Sequence, residues 1–122
     1  MNPIMTPQVL EERLIDFAVS IVTVVESLPN TKAGNHIANQ LIRSGTSPAP
    51  NYGEAQSAES RKDFIHKLGI VMKELRETQI NLKMLTRLNK GNGDIVFSDL
   101  IKENDELLAI MFRTIQTARK NN

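Results

Sequence analysis

The sequence predicts an all-α fold, an antiparallel up-and-down four-helix bundle, and three observations carry that expectation. Leu, Ile and Val recur at steps of three and four, the spacing of one helical face, instead of alternating as in a strand. Aromatic content is low, with four Phe, one Tyr and no Trp. Helix-stopping and helix-capping residues punctuate the chain so that each apolar stretch is followed closely by the next. With 122 residues, the chain suits a single domain, 1–122, around one core.

The first helix is expected from about 7 to 28. Thr6 supplies a cap and Pro7 a first-turn residue, and Leu10, Leu14, Phe17, Ile21, Val24 and Leu28 form a heptad seam. Ile15, Val22 and Val25 widen that seam, so the helix has apolar surface beyond one partner. Pro29-Asn30 ends it and Thr31 caps the next. The third helix, about 61–89, has Ser60 as cap with Asp63 three residues on. Its seam is Phe64, Leu68, Val71, Leu75, Thr78, Leu82 and Leu85. Lys90-Gly91-Asn92-Gly93-Asp94 reads as a helix stop and reversal. Ser98 is then expected to cap a fourth helix, about 98–119, on a seam of Ile101, Asn104, Leu108, Met111, Ile115 and Ala118.

The second helix, about 32–57, breaks the local rule. Gln40, Ser44, Ser47, Asn51, Glu54 and Ala58 form a polar and small stripe where the other helices place Leu and Ile. Pro48 and Pro50 admit two descriptions. The helix stops at Gly45 and restarts with Ser47 as N-cap, or one helix bends through the prolines at about 3 kcal/mol or more for each interior proline. The length of the neighbouring helices requires the chain to continue along the same bundle position either way, so helix two is expected to be bent or interrupted near 45–50. The stripe reads as a structural polar seam of Arg43, Ser44, Ser47, Asn51 and Glu54, with Glu74 opposite on the third helix. Its small hydroxyls and amides are expected to satisfy carbonyls freed by the prolines or to bond across to the third helix, and Arg43 or Glu54 to pair with Glu74, Glu77 or Lys67.

Arg43-Ser44-Gly45-Thr46-Ser47, Asn51-Tyr52-Gly53-Glu54-Ala55, Lys62-Asp63-Phe64-Ile65-His66-Lys67-Leu68-Gly69-Ile70 and Lys73-Glu74-Leu75-Arg76-Glu77-Thr78 carry a resemblance over nearly the whole chain. The sequence resembles the small four-helix bundle family encoded in intervening sequences of large-subunit ribosomal RNA genes. That family is in turn similar to the accessory variability protein of diversity-generating retroelements, a basic ring-forming partner of a reverse transcriptase and its RNA. The resemblance implies a homopentamer with a nucleic-acid role. Two departures stand out: Ile80-Asn81 where many members carry an aromatic residue, and Pro50 where they carry a small one.

Net charge is only +1, but its distribution is uneven. Residues 1–30 hold Arg13 against Glu11, Glu12, Asp16 and Glu26, whereas residues 61–90 hold eight cations against three acids, a net of +5. Lys62, Lys73, Arg76, Lys83, Arg87 and Lys90 lie off the apolar seam of the third helix and are the candidate nucleic-acid-binding residues. Without interleaved aromatics, contact with the phosphate backbone is expected over base stacking. The acidic first helix of one protomer against the basic third helix of another would close a head-to-tail ring.

Catalytic chemistry finds little footing. Bundles that house two metals use paired Glu-x-x-His motifs, and here Asp63-x-x-His66 stands alone while His36 has Ala33 three residues before it. There is no cysteine, no nucleophile-base spacing and no phosphate-binding glycine loop. The reading is a non-enzyme with neither metal nor cofactor. Absence of Cys, of a signal-like start and of a membrane-length apolar run points to the cytoplasm. The sequence alone leaves two roles open, an oligomeric RNA-binding or RNA-enzyme adaptor and a protein-interaction scaffold.

Overall fold

In a computed structural model, residues 5–89 and 97–121 are described, and they form five helical segments in four bundle positions. These are α1 (Pro7–Glu26), α2 (Lys32–Thr46), α3 (Pro48–Gln56), α4 (Arg61–Leu88) and α5 (Ser98–Lys120). α1 and α4 lie on one diagonal: each packs beside both the α2–α3 rod and α5, and no Cα of one comes within 8 Å of a Cα of the other. Leu14, Phe17 and Ile21 of α1, Leu41 of α2, Tyr52 and Ala55 of α3, Leu68, Leu75 and Leu82 of α4 and Leu107 and Met111 of α5 fill the space between them. No described helix is long and apolar enough to cross a membrane.

Three caps form as their sequences dictate. The hydroxyls of Thr6, Thr31 and Ser60 accept from the amides of Val9, Gly34 and Asp63, each at 3.0–3.1 Å, so one orphan donor is satisfied at each start. α5 differs from the expectation. Its N-cap position is held by buried Phe97, without a side-chain capping bond, and Ser98 is already helical. The apolar side chain contributes core contact where a hydroxyl would have contributed a hydrogen bond.

The register of α5 also departs from the expected seam. Leu100, Asn104, Leu107, Met111 and Ile115 are buried, while Ile101, Leu108 and Ala118 are half-buried. Two apolar columns run side by side on this helix, and packing against α4 turns the Leu100–Leu107 column inward. Expected ends at Leu28, Ser57 and Asn89 fall one or two residues earlier, because the last turns leave the regular helix, and α5 runs one residue past Arg119. The Lys90–Asp94 turn lies outside the described residues.

The second bundle position is a bent rod. Its axis bends by 20° at the junction. Ser47 keeps right-handed helical angles, its amide donates to the Arg43 carbonyl at 3.1 Å, and its carbonyl accepts from Asn51 at 3.2 Å. These two i to i−4 bonds bracket the junction, and the ladder is interrupted between them, where Pro48 and Pro50 have no N–H to give. α2 ends at Thr46 and α3 restarts at Pro48 with Ser47 in the N-cap position, so the rod is both interrupted and bent, although Ser47 makes no side-chain capping bond. Gly45 is no terminal cap either. A Cβ there would stand 2.9 Å from Ile21, so the missing side chain lets α2 pack closely on α1 at this point.

Candidate nucleic-acid interface

α4 presents two unlike non-apolar surfaces, one turned towards α2 and one away from the core. The inward one is a closed hydrogen-bond cluster. Ser44 and Thr78 are completely buried and Asn81 is 5% exposed. Thr78 Oγ1 lies 3.0 Å from Ser44 Oγ and 2.9 Å from the Glu74 carbonyl, and Asn81 Nδ2 lies 3.3 Å from Ser44 Oγ. A carbonyl only accepts, so Thr78 spends its single proton on Glu74 and takes the proton of Ser44. Ser44 then accepts from the Asn81 amide. The chain of donors runs one way, from Asn81 to Ser44 to Thr78 to the backbone, and it fixes α2 against α4 in one register.

The remaining members of the seam divide by role. Arg43 reaches across to Glu77 at 3.1 Å and Glu74 at 3.7 Å, and Glu54 meets Lys67 at 3.5 Å. Ser47 and Asn51 do not cross to α4. Asn51 Nδ2 bonds Ser47 Oγ at 2.8 Å and the Ser47 carbonyl at 3.0 Å, so the pair buttresses the junction locally and does not cap the carbonyls of Ser44 and Thr46 that the prolines leave without donors. On the opposite flank of α4, completely buried Asn104 donates from Nδ2 to the Leu75 carbonyl at 3.0 Å. A polar key thus sits on each side of the central helix.

The outward surface is basic. Lys62, Lys73, Arg76, Lys83 and Arg87 are all exposed. At about 100° per residue they fall within an arc of about 80° on α4, and the line from Lys62 to Arg87 is about 37 Å long. Lys90 lies outside the described residues. Asp63, Glu74 and Glu77, the acids of α4, fall outside that arc. None of the five cations pairs with an acid among the described residues, whereas Arg13, Arg43 and Lys67 elsewhere are each held by glutamates. Gly69 and Ile80 share the arc, and Ile80 is 53% exposed.

A groove of about 840 Å³ opens beside this arc, between α2 and α4. Lys73 and Arg76 line it beside Arg43 and its partner Glu77, Met72, Ile80 and Met84 supply apolar lining, and Gln40, Gly69 and Asn81 complete it. A larger groove of about 1190 Å³ lies at the end of the bundle, between α1, α5 and the α3–α4 connection. Arg13, Arg61 and Arg113 line it, and of the three Arg13 is held by glutamates. Arg13 grips Glu103 through two nitrogens and Glu106 through one at 3.0 Å, and these bonds raise its pKa above the ordinary arginine value, the Glu103 hydrogen bond most of all.

Histidine contributes little geometry for catalysis or ligation. His36 and His66 are exposed, with His36 beside Gln40 at 3.3 Å. Among the described residues no group of three or more His, Cys, Asp or Glu gathers around a point.

The sequence matches, over residues 9–113, the family described as 23S rRNA-intervening sequence protein. A solved structure from Bacteroides thetaiotaomicron, described as a protein with unknown function from the S23 ribosomal protein family, is 32% identical and superposes with a TM-score of 0.81. The match covers 92% of this chain and 99% of that one. No match is found among functionally curated proteins.

Proposed function

This chain belongs to the 23S rRNA-intervening sequence protein family, and from that premise we propose that it is a non-enzymatic, cytoplasmic RNA-binding or RNA-enzyme adaptor protein that engages phosphates through the outer arc of α4. One observation carries the reading. Five exposed cations share one face of a 28-residue helix, with no acid of that helix among them and no ion pair to any described residue. Lysines and arginines that only solvate a surface are commonly matched by nearby carboxylates, as Lys67 is by Glu54 and Arg43 by Glu77 between helices on the inner flank. A sorted face repels itself and is favoured when an anion covers it.

The geometry fits backbone contact. A rod about 37 Å long matches roughly one turn of a nucleic-acid duplex in span, and long flexible lysines follow phosphates without reading bases. Self-association is part of the same proposal, with the subunit number of five and the reverse-transcriptase partner taken from the resemblance. Exposed Val9, Ile15, Val19 and Val22 give α1 an apolar face among Glu12, Asp16 and Glu26, a surface suited to another protomer. The experiment is an RNA-binding titration repeated across a salt series. Affinity that falls with salt supports the phosphate reading, and absent or salt-independent binding favours a protein scaffold instead.

A further inference from the structure

One aromatic ring stands outside the core. Phe17, Tyr52 and Phe97 are buried and Phe64 is half-buried, whereas Phe112 of α5 is 51% exposed. With Leu108, Ala109 and Met72 it forms the apolar side of a hollow of about 370 Å³ between α4 and α5, and Arg76, Gln79 and Asp105 form the polar side. A bridge sets the register of this flank: Gln79 Nε2 donates to Asp105 Oδ1 at 2.8 Å. α4 and α5 run antiparallel, and Met72 and Phe112 each lie seven residues from that bridge towards the same end of the bundle. They therefore stand level, about 10 Å from the bridge. Arg76 falls between the two levels, about 6 Å along the axis from Phe112, so ring and guanidinium lie within reach of one nucleotide. Lys83 stands two turns beyond Arg76 on α4, and Arg119 two turns beyond Phe112 on α5. Both are exposed and neither pairs with an acid among the described residues. Asp105, the acid of the hollow, has one oxygen taken by Gln79 and lies at the end away from Phe112.

We propose that the furrow between α4 and α5 holds a single-stranded segment of RNA, with one unpaired base stacked on Phe112 and the phosphates to either side held by Arg76 and Arg119. The proposal rests on the RNA-binding reading above and adds to it a base contact from a second helix. The sequence places no aromatic residue among the cations of α4, and packing supplies one across the α4–α5 seam. Stacking is the contact this site can offer. Every base has a face to lay on the ring, and Met72 and Leu108 add apolar wall around it. An unpaired base has that face free, whereas a base inside a duplex keeps it against its neighbours. The charge around the ring selects a phosphate-bearing occupant. An uncovered apolar side chain between unpaired cations differs from the α1 face, where Val9, Ile15, Val19 and Val22 stand among Glu12, Asp16 and Glu26 and repel phosphate.

The test measures binding of a short single-stranded RNA and of the same RNA fully paired, using the full chain and its Phe112→Ala and Phe112→Trp variants. Phe112→Ala is expected to weaken single-strand binding about tenfold, the worth of one stacked base, and to leave duplex affinity unchanged. Its salt slope on the single strand is expected to match that of the natural protein, because no cation is lost. The natural chain has no Trp, so Phe112→Trp carries a single indole. Its emission is expected to be quenched by the single strand and unaffected by the duplex, with single-strand affinity retained. Single-strand affinity that Phe112→Ala leaves unchanged, or an equal loss on both RNAs, overturns the stacking site, and intact duplex binding then leaves the phosphate face standing. Indole emission that the bound single strand does not alter also overturns it. A Phe112→Ala protein whose mass in light scattering falls without RNA shows that a second copy covers the ring and overturns the proposal. Failure of the natural protein to bind either RNA overturns both readings together.

Discussion

The two surfaces of α4 hold similar chemistry arranged to opposite ends. Facing α2, Ser44, Thr78 and Asn81 are buried and bonded in one direction, and Arg43 has glutamates within reach. Facing outward, Lys62, Lys73, Arg76, Lys83 and Arg87 are exposed and without acid partners among the described residues. Polar groups in the first setting repay their burial by fixing how helices pair, because leaving any one of them unbonded is expensive. Cations in the second setting gain nothing from the fold itself. Partnering, more than polarity, separates the structural surface from the candidate binding surface.

The largest test of that contrast lies on the inner surface. Ser44→Leu places a branched side chain in fully buried space and strips Thr78 and Asn81 of their shared partner, and it is expected to cost about 2–4 kcal/mol in urea unfolding. A loss below about 1 kcal/mol would mean that the cluster does not fix the pairing of α2 and α4.

The glycines sharpen the same comparison. Gly45→Ala drives a methyl to within 2.9 Å of buried Ile21, and overpacking of about 1–3 kcal/mol outweighs the gain in helix propensity, so the melting temperature falls. Gly69→Ala meets open space, and thermal unfolding is expected to show a gain of up to about 1 kcal/mol. If both substitutions moved the melting temperature the same way, the separation of a packed from an open surface would be wrong.

The smallest expected effect concerns alkaline pH. Burial raises the Tyr52 pKa above the ordinary value of 10.0, and the charge of Glu11 adds to it. Ionisation is therefore easier in the unfolded chain, so the contribution of Tyr52 is complete below about pH 10 and is lost as pH rises through the higher folded value. Tyr52→Phe should leave stability near pH 7 almost unchanged and flatten the decline above pH 10 in a denaturant-midpoint profile. An unchanged decline would assign it to other groups.

How far the sequence reaches depends on which contacts are local. The caps at Thr6, Thr31 and Ser60 and the seam from Leu68 to Leu85 were legible because a cap or a heptad is decided within a few residues. The bend at Pro48 was legible for the same reason. The α5 register was not, since Leu100 and Ile101 are equally apolar and only the position of α4 decides between their columns. Within the candidate site, the basic arc follows from helical spacing alone. The cluster was half legible: Ser44 and Thr78 stood on their seams, but Asn81 stood only as a departure from the family pattern. Its role depends on the depth at which α2 meets α4, as does the groove that Gly69 and Asn81 share.

The most direct test of the phosphate-binding account is the slope of log affinity against log salt for a structured RNA, measured for the natural protein and for Lys83→Gln with Arg87→Gln. These two positions lie outside the groove and outside the hydrogen-bond cluster, so folding and self-association serve as internal controls. Five phosphate contacts per protomer predict a slope of about −4, and removing two cations should make it shallower by about 2. A slope that is near zero, or that the double substitution leaves unchanged, would contradict the assignment of the outer face of α4 to RNA.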